Sequence, residues 1–317
     1  LGFDSVWPAE HHFSEYGFCA SPAVVLAAVA RTTKRIRLGT GVVVLPFHHP
    51  LRVAEEYAML DLLSDGRVEL GVGRGYQPLE YQGYGVDQTQ SREIFDESLA
   101  IIQQAWTQER VDFDGKHYQF HDVTVRPRPL QKPHPPIWLA GLSEPTYEKA
   151  GRLGLNLLCS PVFGGSLEYA RDHIAAYREA LERAGHDPAT REVGALVMVY
   201  VSETQEQARE EFAEPVIWYF RTFGKYVAPK LGQPPIESYE SYTSIRDMAN
   251  AVAWDQLLAH GAVICGDADY VTKRIADLRD VAGVDHLLCW TRLGGLANDR
   301  VERHMELMRD KVMPALR

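Results

Sequence analysis

Two adjacent histidines near the start of the chain are the residue type best suited to proton transfer close to neutral pH. His11 and His12 lie in the run EHHFSE, residues 10–15, behind a short apolar segment, residues 5–7, that we predict to be a β-strand. The unperturbed pKa of histidine is about 6.5, so an imidazole there can give or take a proton during a reaction. Two histidines at the end of a strand are equally compatible with capping or with hydrogen bonding to a neighbouring loop.

A glycine-rich stretch, residues 71–75 (GVGRG), ends the strand predicted at residues 68–72. It lacks the GxGxxG spacing of a dinucleotide-binding turn, and we expect no helix to open directly after it. Glycines at this place allow another group to approach the backbone closely, and Arg74 then offers a forked donor for a phosphate. A glycine-rich turn with a surface arginine is the alternative.

A third group lies between a predicted strand and a predicted helix, at Gly141-Leu142-Ser143-Glu144-Pro145-Thr146. A helix N-terminus with free N–H groups and two hydroxyls three residues apart, on Ser143 and Thr146, is suited to bind an anion. Ser143 is also an ordinary N-cap residue, and caps are commoner than phosphate sites.

Composition and charge narrow the class of protein. The chain has 317 residues, a hydrophobic content of 45% and a net charge of −10, with no cluster of lysine and arginine. We therefore expect neither nucleic acid nor a membrane surface as a partner. Four widely spaced cysteines without a CxxC pair predict no zinc site and no disulfide framework, which favours a reducing, cytoplasmic location.

Apolar, β-branched segments alternate with helical patterns along the chain. We predict strands at residues 5–7, 36–45, 68–72, 137–140, 155–159, 193–201 and 285–290, and helices at residues 23–33, 50–64, 91–106, 166–184 and 298–313, with others from Ser143 and Thr204. This alternation predicts an α/β fold with a parallel sheet covered on both faces, either a (β/α)₈ TIM barrel or an open doubly wound sheet. In a barrel the site lies at the C-terminal strand ends, where His11, Gly41, Arg74 and Ser143 fall.

We predict one barrel domain over residues 1–317, with insertions at about 109–135 and 203–284. The first insertion is expected to form a hairpin around Asp114-Gly115. The second contains a stretch rich in proline, glycine, serine and tyrosine, residues 228–244, that we take as a candidate lid. Gly2 resembles the end of a helix and no initiator methionine is present, so we expect that a first strand and helix are missing from this sequence.

Three ordered motifs resemble the bacterial luciferase family of flavin-dependent monooxygenases. They are EHHFSE at residues 10–15, LGTGVVVLP at residues 38–46 with His49-Pro50 after it, and the stretch from Leu60-Asp61 through SDGR to GVGRG at residue 75. The resemblance is dense over residues 1 to about 106, thins in the middle, and returns at residues 289–295 and in the C-terminal helix.

The resemblance implies a (β/α)₈ barrel and a role for each matching residue. His11 is similar to the family's catalytic histidine, and Arg74 to its flavin-phosphate arginine. The Leu142 N–H and the Ser143 and Thr146 hydroxyls resemble the rest of the phosphate cup. Gly41-Val42 resembles the non-prolyl cis peptide under the flavin ring. His49 matches a histidine in the helix that pairs subunits, which implies a homodimer.

The implied activity is oxidation of a small organic substrate such as an aldehyde, ketone or alkane. In this family, reduced FMN from a separate flavin reductase reacts with O₂ at flavin C4a, and the resulting peroxide oxidises the substrate while His11 sets its protonation state. The luciferase catalytic subunit has a reactive cysteine where this chain has Gly73, so we do not expect light emission.

Three other interpretations stay open. The first is a barrel enzyme of the same family that uses a deazaflavin coenzyme for hydride transfer. The second is a non-catalytic, flavin-binding partner subunit, which would need neither the Glu-His-His run nor Arg74. The third is an unrelated barrel that binds phosphorylated metabolites.

Overall fold

A computed structural model of the chain describes residues 1–15, 17–160, 166–229, 236, 239–259 and 261–317. The chain forms two compact units. Asp4–Trp138 and Tyr226–Thr243 make up what we call the N-terminal unit, and Leu1–Phe3, Leu139–Lys225 and Ser244–Arg317 make up the C-terminal unit. The single barrel domain stays a prediction. Of the candidate lid, residues 230–235, 237 and 238 lie outside the described residues.

The elements up to residue 140 alternate largely as predicted. They are β1 Ser5–Val6, α1 Pro22–Thr32, β2 Arg37–Gly39, β3 Val43–Val44, α2 Pro50–Leu63, β4 Val68–Gly73, α3 Pro78–Tyr84, α4 Ser91–Thr107, β5 Val111–Asp114, β6 Gln119–Val123 and β7 Ile137–Ala140. Strand β2 pairs in parallel with β1 and with β4, and β3 pairs in parallel with β4. The predicted hairpin is confirmed, since β5 and β6 are antiparallel.

Helix boundaries follow local chemistry at the N-termini. Proline occupies the first turn of both α1 and α2, where its missing N–H costs no hydrogen bond. The Ser21 hydroxyl accepts the N–H of Val24 at 3.4 Å and so caps α1.

The single strand predicted at residues 36–45 is wrong, because the chain forms two short strands there. Thr40 separates β2 from β3, and its hydroxyl donates to the Gly71 carbonyl at 2.7 Å and accepts the Gly71 N–H at 2.9 Å. The Thr40 hydroxyl thus bonds both backbone polar groups of Gly71, while the Thr40 N–H donates to the Glu69 carbonyl at 3.2 Å. The peptide between Gly41 and Val42 is cis, as predicted.

No helix opens directly after the glycine-rich stretch, as expected, but a short helix that was not predicted from the sequence lies just beyond it. Helix α3 begins at Pro78, three residues after Gly75, and ends at Tyr84. Gly85 caps it with a φ of +67°, the left-handed conformation typical of a helix C-terminus. This short helix carries several polar side chains of the candidate site.

The elements after β7 are α5 Glu144–Arg152, β8 Asn156–Cys159, α6 Leu167–Arg183, β9 Val193–Val201, α7 Gln205–Tyr226, α8 Ser241–Ala251, α9 Trp254–Ala259, β10 Val263–Gly266, α10 Ala268–Ala282, β11 His286–Cys289, α11 Asn298–Leu307 and α12 Met313–Leu316. Strands β8, β10 and β11 each pair in parallel with β9. The predicted insertion at 203–284 therefore contains a strand–helix unit, β10–α10, that sequence reasoning missed. Asp267 caps α10 by accepting the Tyr270 N–H at 2.9 Å.

Parallel strands alternating with helices confirm the α/β class. Both faces of the strands are covered, as the continuous burial of β4 and β8 indicates.

Within the described part of the chain, no helix combines the length and the apolar character needed to cross a membrane. Cys19, Cys159, Cys265 and Cys289 are free thiols.

Candidate active site

His11 lies in the N-terminal unit, where both its backbone and its ring contact neighbouring residues. It does not extend β1, which ends at Val6, but follows it in an irregular segment. Its N–H donates to the Cys19 carbonyl at 3.0 Å, and its Nδ1 lies 3.1 Å from Oε1 of Glu80 in α3. The side chain of His11 is 16% exposed, whereas that of Glu80 is 1% exposed. A buried carboxylate therefore orients a partly accessible imidazole.

The Glu80 contact determines which nitrogen of His11 carries the proton when the ring is neutral. A carboxylate only accepts hydrogen bonds, so its bond to Nδ1 places the proton on Nδ1. The Gln77 side-chain nitrogen lies 3.2 Å from the same Nδ1 but is itself a donor, so it makes no hydrogen bond to the ring in this tautomer. Nε2 is then the basic nitrogen of the ring, which is the state a general base needs. The same Glu80 oxygen accepts the N–H of His12 at 2.9 Å, which fixes the carboxylate relative to the backbone.

His12 belongs to a different hydrogen-bond network. Its Nε2 lies 2.9 Å from Oε1 of Glu10, and its Nδ1 lies 2.9 Å from the Tyr84 hydroxyl. Oε1 of Glu10 also lies 2.7 Å from Nε2 of His48, while Oε2 accepts the N–H of Val44 at 3.0 Å. His11 and His12 thus serve separate carboxylates, Glu80 and Glu10.

The Glu10 network changes two pKa values. Burial opposes ionisation of Glu10, but hydrogen bonds from His12, His48 and the Val44 N–H outweigh it and hold the Glu10 pKa below its ordinary value. Burial likewise disfavours the charged form of His48, but the hydrogen bond to the Glu10 carboxylate outweighs it and raises the His48 pKa. The pair is therefore best described as a carboxylate beside an imidazole that protonates readily.

Three glycines shape the surface beside the Gly41-Val42 peptide. A Cβ at Gly39 would lie 2.2 Å from the Trp7 indole, and one at Gly73 would lie 2.8 Å from Cγ2 of Val42. A Cβ at Gly41 would lie 3.7 Å from Cβ of Trp7, an ordinary contact. Val42 thus fills the space that a side chain at residue 73 would need, which is a local steric reason for glycine at that position.

Arg74 follows β4 and is half-buried. Its guanidinium carbon lies 4.6 Å from the centre of the Tyr239 ring. The Tyr81 hydroxyl donates to the Arg74 carbonyl, so α3 fixes the backbone of this residue.

The other predicted phosphate ligands lie in the C-terminal unit. Ser143 precedes α5 as predicted, but its hydroxyl makes no capping bond and lies instead 3.1 Å from Oγ1 of Thr146. Thr146 folds over Gly141, where an added Cβ would lie 2.2 Å from Cγ2 of Thr146. Leu142 lies between Gly141 and Ser143 and is half-buried.

The predicted residues therefore fall into two groups. His11, Gly41, Val42 and Arg74 belong to the N-terminal unit, whereas Leu142, Ser143 and Thr146 belong to the C-terminal unit. That both groups bind one phosphate stays a prediction. Sequence reasoning missed Glu80 and Tyr239. Pro78 and Gly85 are start and stop signals for a short helix, and recognising that helix could have made Glu80 a candidate. For Tyr239 the sequence offers no local signal.

The residues present fit a phosphorylated, hydrogen-bonding cofactor such as FMN. Arg74 supplies a cation, and Gln77, which precedes α3, supplies an amide whose nitrogen lies 3.2 Å from Nδ1 of His11. The Gln77 side-chain oxygen is buried and, among the described residues, has no hydrogen-bond partner. An unsatisfied buried acceptor costs about 1–3 kcal/mol, so a bound N–H or O–H group there would be stabilising.

Residues 1–286 match the Luciferase-like monooxygenase family, and the chain belongs to that family. Over 99% of its length the chain is 29% identical to the oxygenase component of the flavin-dependent trigonelline monooxygenase of Acinetobacter baylyi, of which it covers 86%. Its homologues are thus flavin-dependent monooxygenases.

Solved structures show the same fold. A monooxygenase from Streptomyces bottropensis is 28% identical, with a TM-score of 0.86 over 99% of this chain and 88% of that one. The oxygenating constituent of 3,6-diketocamphane monooxygenase from Pseudomonas putida, in complex with FMN, has a TM-score of 0.80 at 22% identity, covering 100% and 89%. An F420-dependent secondary alcohol dehydrogenase has a TM-score of 0.78 at 20% identity, covering 100% and 91%. These likenesses confirm the predicted barrel fold class.

Proposed function

We propose that this protein is the oxygenase component of a two-component monooxygenase that uses reduced FMN and O₂ to oxidise a small organic substrate. The observation that carries the proposal is the His11–Glu80 pair, because it leaves a basic Nε2 on a partly accessible ring. The match to the family supports flavin as the cofactor. Reduced flavin, when bound, supplies the electrons that activate oxygen.

The residues of the chain bind, orient and move protons in this proposal. Arg74 holds the flavin phosphate, together with the Leu142 N–H and the hydroxyls of Ser143 and Thr146. Gly41 and Val42 form the surface under the flavin ring. His11 moves a proton at Nε2, while Glu80 keeps Nδ1 protonated and the ring in place.

The similar proteins indicate which classes of substrate to test first. A trigonelline monooxygenase and a diketocamphane monooxygenase are among the similar proteins, so we propose aldehydes, ketones, alkanes and N-heteroaromatic compounds as the first panel to screen. The trigonelline monooxygenase relative is named as an oxygenase component, which supports a separate flavin reductase as the transient partner of this protein. The free thiols favour a reducing, cytoplasmic location.

A homodimer is part of the proposal. Helix α2 buries Val53, Ala54 and Tyr57 on one face, but Met59, Leu62 and Leu63 are exposed on another. Val24 and Val25 of the adjacent helix α1 are exposed as well. An apolar surface on two packed helices is typical of a subunit interface.

Substitution of Arg74 tests the placement of the phosphate. Arg74→Ala should weaken FMN binding by about 1.5–3 kcal/mol, the range for a hydrogen bond to a charged group, and should leave binding of riboflavin, which has no phosphate, unchanged. Arg92→Ala, at an exposed arginine of α4 in the same unit, is the matched control. Unchanged FMN affinity in Arg74→Ala would contradict the proposal.

The deazaflavin alternative is supported by F420-dependent enzymes among the structural neighbours and needs its own test. Difference spectra of the protein with FMN and with a deazaflavin coenzyme, together with oxygen uptake by the reduced complexes, distinguish the two. Binding of the deazaflavin alone, without oxygen uptake, would favour a hydride-transfer enzyme. A non-catalytic partner subunit would bind flavin but give no product with any member of the panel.

A further inference from the structure

Two tyrosines contact the three residues that follow β4. The Tyr239 ring lies under the Arg74 guanidinium at 4.6 Å, and the Tyr239 hydroxyl donates to the Gly75 carbonyl at 3.1 Å. The ring of Tyr242 stacks on that of Tyr76, with centroids 5.7 Å apart and planes inclined by 14°. Arg74, Gly75 and Tyr76 are thus each contacted by Tyr239 or Tyr242, which are more than 160 residues away in sequence.

The Tyr239 hydroxyl is fixed by a consistent set of hydrogen bonds. Its single proton goes to Gly75, so the Ser91 hydroxyl, 2.9 Å away, is the donor to the Tyr239 oxygen. Tyr81 donates to the Arg74 carbonyl and lies 3.3 Å from the Tyr239 hydroxyl. Tyr239 itself is 3% exposed, so its ring cannot move away from the guanidinium without breaking buried contacts.

This ring contact suits a residue that must also bind a phosphate. A cation within about 6 Å of an aromatic centroid is attracted by the ring face, and more strongly where water is excluded. The attraction restrains the guanidinium but takes none of its five N–H groups into a conventional hydrogen bond. The Tyr239 contact therefore leaves Arg74 able to donate to an anion.

We propose that Tyr239 is a positioning residue for cofactor binding, which holds Arg74 in the orientation that contacts the flavin phosphate. This inference rests on the proposed function. It makes Tyr239 part of the cofactor site although Tyr239 touches no cofactor atom in the proposal. By linkage, a phosphate bound at Arg74 stabilises the docked position of Tyr239 by the same free energy that Tyr239 adds to binding.

A double-mutant cycle with two ligands tests the inference. Dissociation constants for FMN and for riboflavin are measured by equilibrium dialysis for the wild type, Arg74→Ala, Tyr239→Leu and the double variant. Tyr239→Leu should weaken FMN binding by about 2- to 30-fold, the range for cation–π contacts, and leave riboflavin binding unchanged. In the Arg74→Ala background the same substitution should have no effect on FMN, because the two residues act through one contact.

Two further variants separate positioning from general packing. Tyr239→Phe keeps the ring face and should retain most of the FMN affinity. Tyr118→Leu, at a tyrosine of the same unit whose ring packs against His49 and Phe120, is the matched control and should leave FMN and riboflavin binding unchanged. If Tyr239→Leu does not fold, as judged by circular dichroism, Tyr239→Met replaces it because it keeps apolar volume without a ring face.

Equal losses of FMN and riboflavin binding in Tyr239→Leu, or additive losses in the double variant, would overturn the inference while leaving the proposed function intact. A wild type that binds no flavin, or an Arg74→Ala variant with unchanged FMN affinity, would instead reject the proposed phosphate site and the inference with it.

Discussion

The Glu80 carboxylate lies 3.1 Å from Nδ1 of His11, and the same oxygen accepts the N–H of His12 at 2.9 Å. One buried group therefore fixes both the ring and the backbone of the histidine run. The pair resembles the carboxylate–imidazole arrangement in which an acid holds a catalytic histidine in one tautomer. Its role can be tested without removing the histidine.

Glu80→Gln should lower coupled product formation by about 10- to 100-fold, less than the loss of an acid–base group itself. An amide can donate to Nδ1, which would favour the tautomer with the proton on Nε2 and so remove the basic nitrogen. FMN affinity should not change. Glu93→Gln, at an exposed carboxylate of α4, is the control. Normal turnover in Glu80→Gln would show that Glu80 does not orient His11.

His11→Ala and His12→Ala should differ in kind. His11→Ala should still bind reduced FMN and consume oxygen, but substrate oxidation should fall by about 10²–10⁴-fold, with hydrogen peroxide released instead of product. His12→Ala removes a buried partner of Glu10 and Tyr84, so we expect mainly a loss of about 1–3 kcal/mol in unfolding free energy. Product and hydrogen peroxide yields, with urea unfolding, distinguish them. Equal product losses would mean that the two histidines act as one unit.

The Glu10–His48 pair should stabilise the fold most strongly within a limited pH range. The pKa of Glu10 is below 4.5 in the folded state, so ionised Glu10 stabilises the fold. This contribution is lost as the pH falls through the lowered pKa of the folded state. The pKa of His48 is above 6.5 in the folded state, so protonated His48 contributes its full stabilisation of the fold below pH 6.5. This contribution is lost as the pH rises through the raised pKa of the folded state. The stabilisation should therefore be greatest between pH 4.5 and 6.5.

Urea unfolding of the wild type and His48→Gln at about pH 5.5 and about pH 9 measures this window. The difference in unfolding free energy should be larger at the lower pH. His49→Gln is the control, because the His49 ring packs against Tyr118 and Phe120. A difference that grows with pH would contradict the assignment.

Substitution of the exposed apolar residues of α2 should dissociate the proposed dimer. Met59→Glu with Leu63→Glu places charges on the proposed interface and should shift the protein to monomer in sedimentation at micromolar concentration. Val281→Glu, at an exposed apolar position of α10, should leave the oligomer unchanged. A wild type that sediments only as a monomer would refute the dimer.

Sequence patterns predicted most elements whose ends carry a local signal. Pro22 and Pro50 mark helix starts, Asp114-Gly115 marks a hairpin, and the apolar run of β9 was predicted with its exact bounds, Val193–Val201. The break at Thr40 could not be foreseen, because it depends on a side-chain hydrogen bond to Gly71, which is distant in sequence.

The same limit applies to the candidate site. His11 and Arg74 were found because each lies in a motif of its own. Glu80 was missed because its role depends on α3 folding back towards the histidine run, and Tyr239 was missed because its partners lie on a strand end far away in sequence. The type of a residue indicates which chemistry it can perform, but the tertiary fold determines which residues it contacts.

The N-terminal unit is discontinuous, since it takes Asp4–Trp138 from one part of the chain and Tyr226–Thr243 from another. During synthesis, Gly75 leaves the ribosome 164 residues before Tyr239, its hydrogen-bond partner. At about 5–20 residues per second, the nascent chain carries Arg74 without its tyrosine for roughly 10–30 s. A chain released before residue 239 would therefore present the arginine without the contact that we propose positions it.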